Sequence, residues 1–330
     1  MTPVRLPLRE KKEGWQIGAL LVGLLLLLLL PWGLPRFYVE VLFLTLWYAA
    51  LAQAWNFIGG YGKMLSLGHA AFVGVGAYTS TLLFVHWDLT PWIGMLLGGM
   101  VAALLSFVVG ITCFRLSGVY FTIGTLILEE LLRSIFMEFP DITGGATGIN
   151  LPFKQEQLAF FMEFRGVIPY YYLALGMMVL ISAAVYLFEK SDLGLQMTAI
   201  GEDEVAARAL GVSAVWVKQK AFLLSAFFTG MLGVIHAQNL LLIQVNTYFD
   251  PLLSIRIALV AFVGGSRTIG GPILGAFILI PLSQQLQASL GGTYAGSQLV
   301  IYGALLVLIS RYYPRGLWPL VQRWLGRNQR

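Results

Sequence analysis

Apolar residues run along this chain in long blocks, and the polar residues gather between them. A block of about 20 mostly apolar residues is what an α-helix needs to cross the hydrocarbon core of a bilayer. About ten such blocks can be marked, at residues 15–33, 37–58, 65–85, 91–114, 119–137, 168–188, 221–241, 253–263, 271–290 and 298–312. The first holds seven consecutive leucines, Leu24 to Leu30, behind a basic front of Arg5, Arg9, Lys11 and Lys12. No small-residue cleavage site follows it; Pro31, Trp32, Gly33, Leu34 and Pro35 come instead, which reads as a retained signal-anchor. The pattern therefore predicts an all-α integral membrane protein, one transmembrane domain over residues 1–330 with about ten spans.

The polar gaps set the orientation. The two largest lie at about residues 138–165 and 189–219, and a basic tail at 311–330 carries Arg311, Arg315, Arg323, Arg327 and Arg330. With the basic N-terminus inside, ten crossings return the C-terminus inside, put 189–219 inside and put 138–165 outside. The outside loop is net acidic, with Glu138, Asp141, Glu156 and Glu163 against Lys154 and Arg165, in agreement with the excess of Lys and Arg expected in cytoplasmic segments. Trp15, Trp32, Trp87, Trp92, Tyr170 to Tyr172, Tyr312 and Tyr313 stand where interfacial anchors belong.

Two interruptions look alike. Phe57-Ile58-Gly59-Gly60 precedes the third block and Phe262-Val263-Gly264-Gly265 the ninth, each followed by more glycines (Gly62 and Gly68; Gly270 and Gly271). Glycine-broken or re-entrant segments at matching places in two halves point to an internal repeat and a midplane pathway. Frequent glycine in membrane helices is the plainer explanation.

Composition narrows the classes. Only 11% of the 330 residues are charged and 58% are hydrophobic, against roughly 25% charged in soluble domains; the mean hydropathy is +0.78. The net charge of +5 sits at span ends and in loops, which argues for membrane orientation and against nucleic acid. Cys113 is the one cysteine, so neither an internal disulfide nor a cysteine metal site can form. His69, His86 and His236 do not cluster, so no metal centre is expected. No phosphate-binding Gly-x-x-x-x-Gly-Lys-Ser/Thr occurs. No nucleophile–base pairing is legible, so no catalytic residue is assigned and an enzyme is not expected.

The inside loop holds the most specific local signal. Glu202, Asp203 and Glu204 are read as the start of a helix, where carboxylates favour the positive dipole end. Val205, Ala206, Ala209 and Leu210 form an apolar face, and Gly211 stops the helix. A helix of about two turns is marginal alone, so it either docks on a partner or is a plain connector. Within the spans, Glu129, Glu130 and Arg133 fall near the outer end of the fifth block. Glu129 and Arg133, four apart, are placed to pair, either lining a path or locking helices. Arg256, in the short eighth block, is expected to snorkel outward. Asn56, Ser66 and His69 flank the first glycine break; His69 either makes a helix-start hydrogen bond or serves a path.

Glu204-Val205-Ala206-Ala207-Arg208-Ala209-Leu210-Gly211 resembles the coupling loop of bacterial ABC importer permeases. Further blocks are similar to branched-chain amino-acid permeases of the LivM type: Asn56 to Gly62, Ser66 to Phe72, Gly76-Ala77-Tyr78, Tyr120-Phe121 through Glu130, Thr143 to Gly148, and Gly264-Gly265 with Gly270 to Ala276. These run in the family's order from about residue 45 to 280. Lys63, Arg267 and Thr268 depart from the neutral or small residues the family pattern leads one to expect. The resemblance implies a permease subunit that moves leucine, isoleucine and valine across the inner membrane by alternating access. It implies a homologous second permease, two cytoplasmic ATPase subunits that bind the ATP, and a periplasmic or lipid-anchored binding protein; no cofactor belongs to this chain itself. On it, Glu202, Asp203, Glu204, Ala206, Ala207, Arg208 and Gly211 couple to the ATPase. Asn56, Gly59, Gly60, Ser66, His69, Glu129, Glu130 and Arg133 are the candidate translocation path. A urea or short-amide permease shares these motifs, and an ion-coupled secondary transporter is the rival class, with Glu129 and Glu130 as its acids.

Overall fold

A computed structural model describes residues 23, 25–116, 118–152, 160, 162–290, 303–304, 307, 311–313 and 316–324. The described chain is a helical bundle. In order, α1 spans Arg36–Gly59, α2 His69–Trp87, α3 Pro91–Cys113 and α4 Val119–Glu138. The short α5 (Pro140–Thr143) and β1 (Ile149–Asn150) follow. Next come α6 (Ile168–Lys190), α7 (Asp192–Glu202), α8 (Glu204–Ala209) and α9 (Ala214–Leu240). Then β2 (Leu242–Ile243), α10 (Val245–Tyr248), α11 (Pro251–Gly264), α12 (Gly270–Leu290) and α13 (Trp318–Trp324) complete it. The two short strands pair antiparallel, Ile149 with Ile243 and Asn150 with Leu242, and tie the 138–165 loop to the end of α9.

Six segments of the described residues are long and apolar enough to cross a membrane: α1, α2, α3, α6, α9 and the run Val245–Gly264 that joins α10 to α11. Helices α4 and α12, of 20 and 21 residues, lie among them. The N-terminal half of the first expected span (residues 15–22) and most of the tenth fall outside the described residues, as do Lys154 and Glu156 of the 138–165 loop and Arg315, Arg327 and Arg330 of the tail. Of the leucine run, residues 25–29 are helical. That segment is held to α6 by the Tyr171 and Tyr172 hydroxyls, which donate to the Leu27 and Leu28 carbonyls at 2.6 and 2.8 Å. At the other end, α12 begins beside the second glycine break and leads away for 21 residues, about 30 Å at 1.5 Å per residue. Yet Gly316 is back against Gly265, and Leu317 N–H donates to Val263 O at 2.9 Å. Arg323 therefore lies on a helix that starts at the face carrying residues 189–219.

Two boundaries differ from expectation. The loop expected inside is shorter than 189–219, because α6 runs on to Lys190 and α9 begins at Ala214 rather than 221. The extra turns of α9 hold Lys218, whose charge is buried yet paired; block counting stops at such a lysine, whereas the helix does not. The eighth span likewise extends back through α10.

Helix α1 is the axle of the bundle, with every residue from 45 to 62 buried. A helix apolar on all sides belongs in such a place. Helix α9 packs on it, and α2, α3 and α9 meet one another through glycine. A Cβ at Gly76 would sit 2.5 Å from the Gly230 Cα, and one at Gly98 would sit 2.6 Å from the Gly76 carbonyl oxygen. Small residues let membrane helices approach to van der Waals contact of their backbones. The rim of the bundle exposes apolar side chains, among them Leu104, Val108, Ile127 and Leu131 of α3 and α4.

Candidate functional site: two glycine breaks joined to a short helix

The first break separates α1 from α2. After Gly59 the chain leaves the helix, turns through Lys63 at φ +52°, and re-enters at His69. Non-helical backbone inside a membrane protein must find partners within the protein, and here it does. Trp55 Nε1 donates to Ser66 O at 2.9 Å, Thr122 Oγ1 donates to Leu65 O at 2.7 Å, and Thr125 Oγ1 accepts from Leu67 N–H at 3.0 Å. His69 joins three helices. Its Nε2 lies 2.8 Å from Ser225 Oγ, which already donates to Ala54 O, so Nε2 carries the proton; Nδ1, 3.2 Å away, then accepts from Ser66 Oγ.

The second break separates α11 from α12 and lies against the first. The side chain of Asn56 bridges them: its Oδ1 accepts from Arg267 N–H at 2.9 Å and its Nδ2 donates to Thr268 O at 3.1 Å. Gln53 Nε2 donates to Ile269 O beside it. Gly60 has no room for a side chain here, since a Cβ would come 2.8 Å from Arg267 N. Arg267, like Lys63, sits in the left-handed region, at φ +66°. The two similar sequence interruptions thus form one joint.

Helices α7 and α8 are built onto that joint. Ser191 caps α7, accepting from Gly194 N–H at 3.2 Å, and the C-terminal turn of α7 presses on the first break, where a Cβ at Gly201 would lie 3.1 Å from Gly62 C. Asp203, extended at φ −153°, ends α7 and caps α8 by accepting from the Val205 and Ala206 N–H groups at 2.9 and 3.0 Å. The far end of α8 is a Schellman turn: Gly211, at φ +88°, donates to Arg208 O and Val212 donates to Ala207 O. Glu204 anchors α8 to α9 through Lys218 Nζ at 2.6 Å. Ala207 is buried, whereas Val205 and Leu210 are 78% and 86% exposed and Ala206, Arg208 and Ala209 lie beside them.

Glu202 needs correcting. It is the last residue of α7, not the start of α8, because Asp203 takes the extended conformation that separates the two helices. Its carboxylate meets Lys63 Nζ at 2.6 Å through Oε2 and the Arg267 guanidinium through Oε1. Lys63 first, then Arg267, hold its carboxyl below the usual carboxylate range. One carboxylate beside the short helix thus takes a cation from each glycine break. Two of the three departures noted in the sequence, Lys63 and Arg267, carry this contact.

The acids of α4 also pair differently from expectation. Arg133 pairs with Glu130, through Nε at 2.9 Å and Nη2 at 2.5 Å, and not with Glu129. Adjacent helical residues point about 100° apart, and Glu129 faces inward. It is fully buried, and its Oε2 accepts from Ser254 Oγ at 2.6 Å, which in turn accepts from the Ala70 N–H at 2.8 Å. Arg133 also donates to Asn246 Oδ1 at 3.0 Å. Asn56, Gly59, Gly60, Ser66, His69 and Glu129 are therefore all buried, and none of the eight path candidates lines the cavity described next.

That cavity, of about 300 Å³, opens between the N-terminal half of α1, the C-terminal ends of α9 and α12, the first turns of α11 and the short α10. Trp47, Tyr48, His236, Asp250, Arg256 and Asn246 are among its walls. Sequence reading missed it because its residues come from five separate elements, none with a motif. Arg256 was the legible signal: the arginine expected to snorkel outward lines this cavity beside Tyr48. Among the described residues no group of three His, Cys, Asp or Glu side chains could hold a metal ion.

Comparison with known proteins follows the same lines. A family model described as branched-chain amino acid transport system / permease component matches residues 37–310. The chain is 29% identical over 313 residues to the high-affinity branched-chain amino acid transport system permease protein LivM of Salmonella typhimurium, covering 88% of this chain and 72% of that one. It is 29% identical over 324 residues to the LivM protein of Escherichia coli K12, covering 92% and 75%. It is also 27% identical over 278 residues to the autoinducer 2 import system permease protein LsrC of Escherichia coli O9:H4, covering 81% and 78%. No solved structure matches the chain.

Proposed function

This chain belongs to the branched-chain amino acid transport system permease family, and from that membership we propose that it is the membrane-spanning subunit of an ABC importer for leucine, isoleucine and valine. It works in the bacterial inner membrane with both termini cytoplasmic, beside a homologous permease, two ATPase subunits that bind the ATP, and an external binding protein. The chain hydrolyses nothing itself. The observation that carries the reading is α8, which turns Val205 and Leu210 outward while its base is tied to both glycine breaks. A partner that grips this face gains a handle on the joint.

In this mechanism the ATPase dimer closes and pulls α8 with α7. Glu202 moves with them and draws Lys63 and Arg267, so the ends of α1 and α11 shift relative to α2 and α12. Differential contact of α8 with the two nucleotide states is what drives the change. Asn56, Gly59, Gly60, Ser66 and His69 form the moving wall of the path and reach substrate only when the two breaks part. Glu129 stands behind that wall, and Glu130 and Arg133 stand at its outer rim. The LsrC relative, named for autoinducer 2 import, supports a second reading in which the cargo is a sugar-like molecule.

The test is a cysteine at Ala206 in the complete complex. Cross-linking to the ATPase that changes with nucleotide is expected, together with ATP-driven uptake of labelled leucine into proteoliposomes. Labelling by water-soluble reagents alone would remove α8 from the coupling role. Uptake of autoinducer 2 without leucine would select the second substrate.

A further inference from the structure

Away from the joint lies a chamber whose walls hold charges of both signs and aromatic surface. It lies at the end of the bundle away from Glu202: α1 enters it at its N-terminal half, α9 at its C-terminal end and α11 at its first turns. Its volume of about 300 Å³ is at the small end of the roughly 300–1,000 Å³ range of ligand sites. A small metabolite fits; a peptide does not.

The walls are fixed before any ligand arrives. Trp47 stacks on His236 at a ring separation of 4.3 Å, and its Nε1 donates to Leu232 O at 2.8 Å. His236 Nδ1 lies 3.0 Å from the Tyr248 hydroxyl. Leu44 and Leu253 continue the apolar wall. Opposite charges stand on one element. Asp250 caps α11 through Oδ1, which accepts from Leu252 N–H at 3.0 Å, and Arg256 lies in the second turn of the same helix. Both line the same cavity. A carboxylate accepts at both oxygens, so capping through Oδ1 leaves Oδ2 able to serve a cation.

A charge within a membrane bundle costs roughly 2.5–3.5 kcal/mol at a helix centre on insertion scales, and such groups face the interior or a watered cavity. Two opposite charges and an aromatic–aliphatic wall around a small chamber match one ligand class: a zwitterion with a bulky apolar side chain. We propose that this outer cavity is a receiving station for a free α-amino acid, with Arg256 taking the carboxylate, Asp250 the ammonium, and Trp47 with Leu253 the aliphatic side chain. This rests on the amino-acid reading of the importer and gives it a place in the chain. The station accepts cargo released by the binding protein before the joint moves.

The experiment uses the assembled complex in nanodiscs without binding protein, with saturation-transfer NMR on three probes: leucine, 4-methylpentanoate, which lacks the ammonium, and 3-methylbutylamine, which lacks the carboxylate. The native complex should favour leucine over either analogue. Arg256→Gln should weaken leucine and 4-methylpentanoate at least tenfold and spare the amine. Asp250→Asn, which keeps a capping side chain, should weaken leucine and the amine and spare 4-methylpentanoate. Each spared analogue shows that the cavity is still folded, and Arg256→Lys should retain leucine within a few-fold. Equal binding of all three probes, no leucine binding by the native complex, or variants that weaken all three alike would overturn the station. If the complex imports leucine and these results still appear, the station alone falls. A native complex that imports no leucine brings down the substrate reading itself.

Discussion

The glycine seam between α2, α3 and α9 gives the sharpest test of what holds this bundle together. Gly76→Ala adds one methyl group where a Cβ would stand 2.5 Å from the Gly230 Cα, with the Gly230 carbonyl closer still. Ordinary contact begins near 3.4 Å, so α2 and α9 must part by about 1 Å, a gap that forfeits a quarter to a half of each dispersion contact along the seam. Neither helix can yield alone, because Gly98 of α3 also rests on the Gly76 carbonyl. Overpacking of this kind costs about 1–3 kcal/mol, and backbone-on-backbone contact puts it at the upper end. The control is Gly176→Ala in α6, where nothing lies within 4 Å of the added Cβ and helix propensity gains roughly 0.5–1 kcal/mol. Gly76 is helical too, so that propensity gain is common to both variants and cancels, and the pair should differ by about 3 kcal/mol, or roughly 6–12 °C at ~2–4 °C per kcal/mol. The chain supplies its own reporter: Cys113 is buried and reacts with a thiol dye only as the bundle opens. With cysteine-free partner subunits, melting followed by that reaction should rank Gly176→Ala at or above the native complex and Gly76→Ala well below it. Equal melting of the two variants would refute the seam as a load-carrying contact.

Three further outcomes follow from the joint. Glu202→Gln should uncouple the complex, leaving ATP hydrolysis in place while lowering uptake per ATP several-fold, and Lys63→Gln combined with Arg267→Gln should do no more than Glu202→Gln alone; additive losses would argue against a shared contact. Because its carboxyl is held below the ordinary range, the Glu202 contact is complete above the unfolded-state carboxylate pKa and is lost as pH falls through the lower folded value; uptake per ATP should therefore stay level from pH 8 to 5.5, and the sensitivity of the native complex to 1 M salt should vanish in Glu202→Gln. Asp203→Ala should loosen α8 by about 1 kcal/mol, seen as faster amide exchange at Val205 and Ala206 with no change in the melting of the transmembrane bundle.

Much of the bundle was legible because a membrane span writes itself as one apolar block. The α1 end at Gly59 and the restart at His69 were visible in the glycines, since backbone that leaves a helix within the membrane needs small residues and local partners. The α8 end was visible for the same reason, in Gly211. Less legible was everything set by distance in sequence. That the two breaks touch depends on Asn56 reaching Arg267, a separation of 211 residues. Glu202 looked like one of three carboxylates at a helix start, and only the extended Asp203 reveals that it belongs to the helix before. Glu130 took the arginine expected for Glu129 because burial claimed the latter. Lys63 and Arg267 first registered as departures from a pattern, and proved to be the two ends of one contact.

Helix α8 has a consequence for how such a subunit adapts. Six residues cannot hold a helix by propensity alone; Asp203, the Gly211 turn and the Glu204–Lys218 pair hold it from outside its exposed face. Folding and recognition are thus written in different letters of a nine-letter word spanning residues 203–211. If α8 docks on an ATPase as proposed, the outward letters, Val205, Ala206, Ala209 and Leu210, can be respelled to suit another groove while the end letters keep the helix in being. On that docking reading, a lineage could exchange one motor for another through a few surface substitutions, with the transmembrane bundle left untouched.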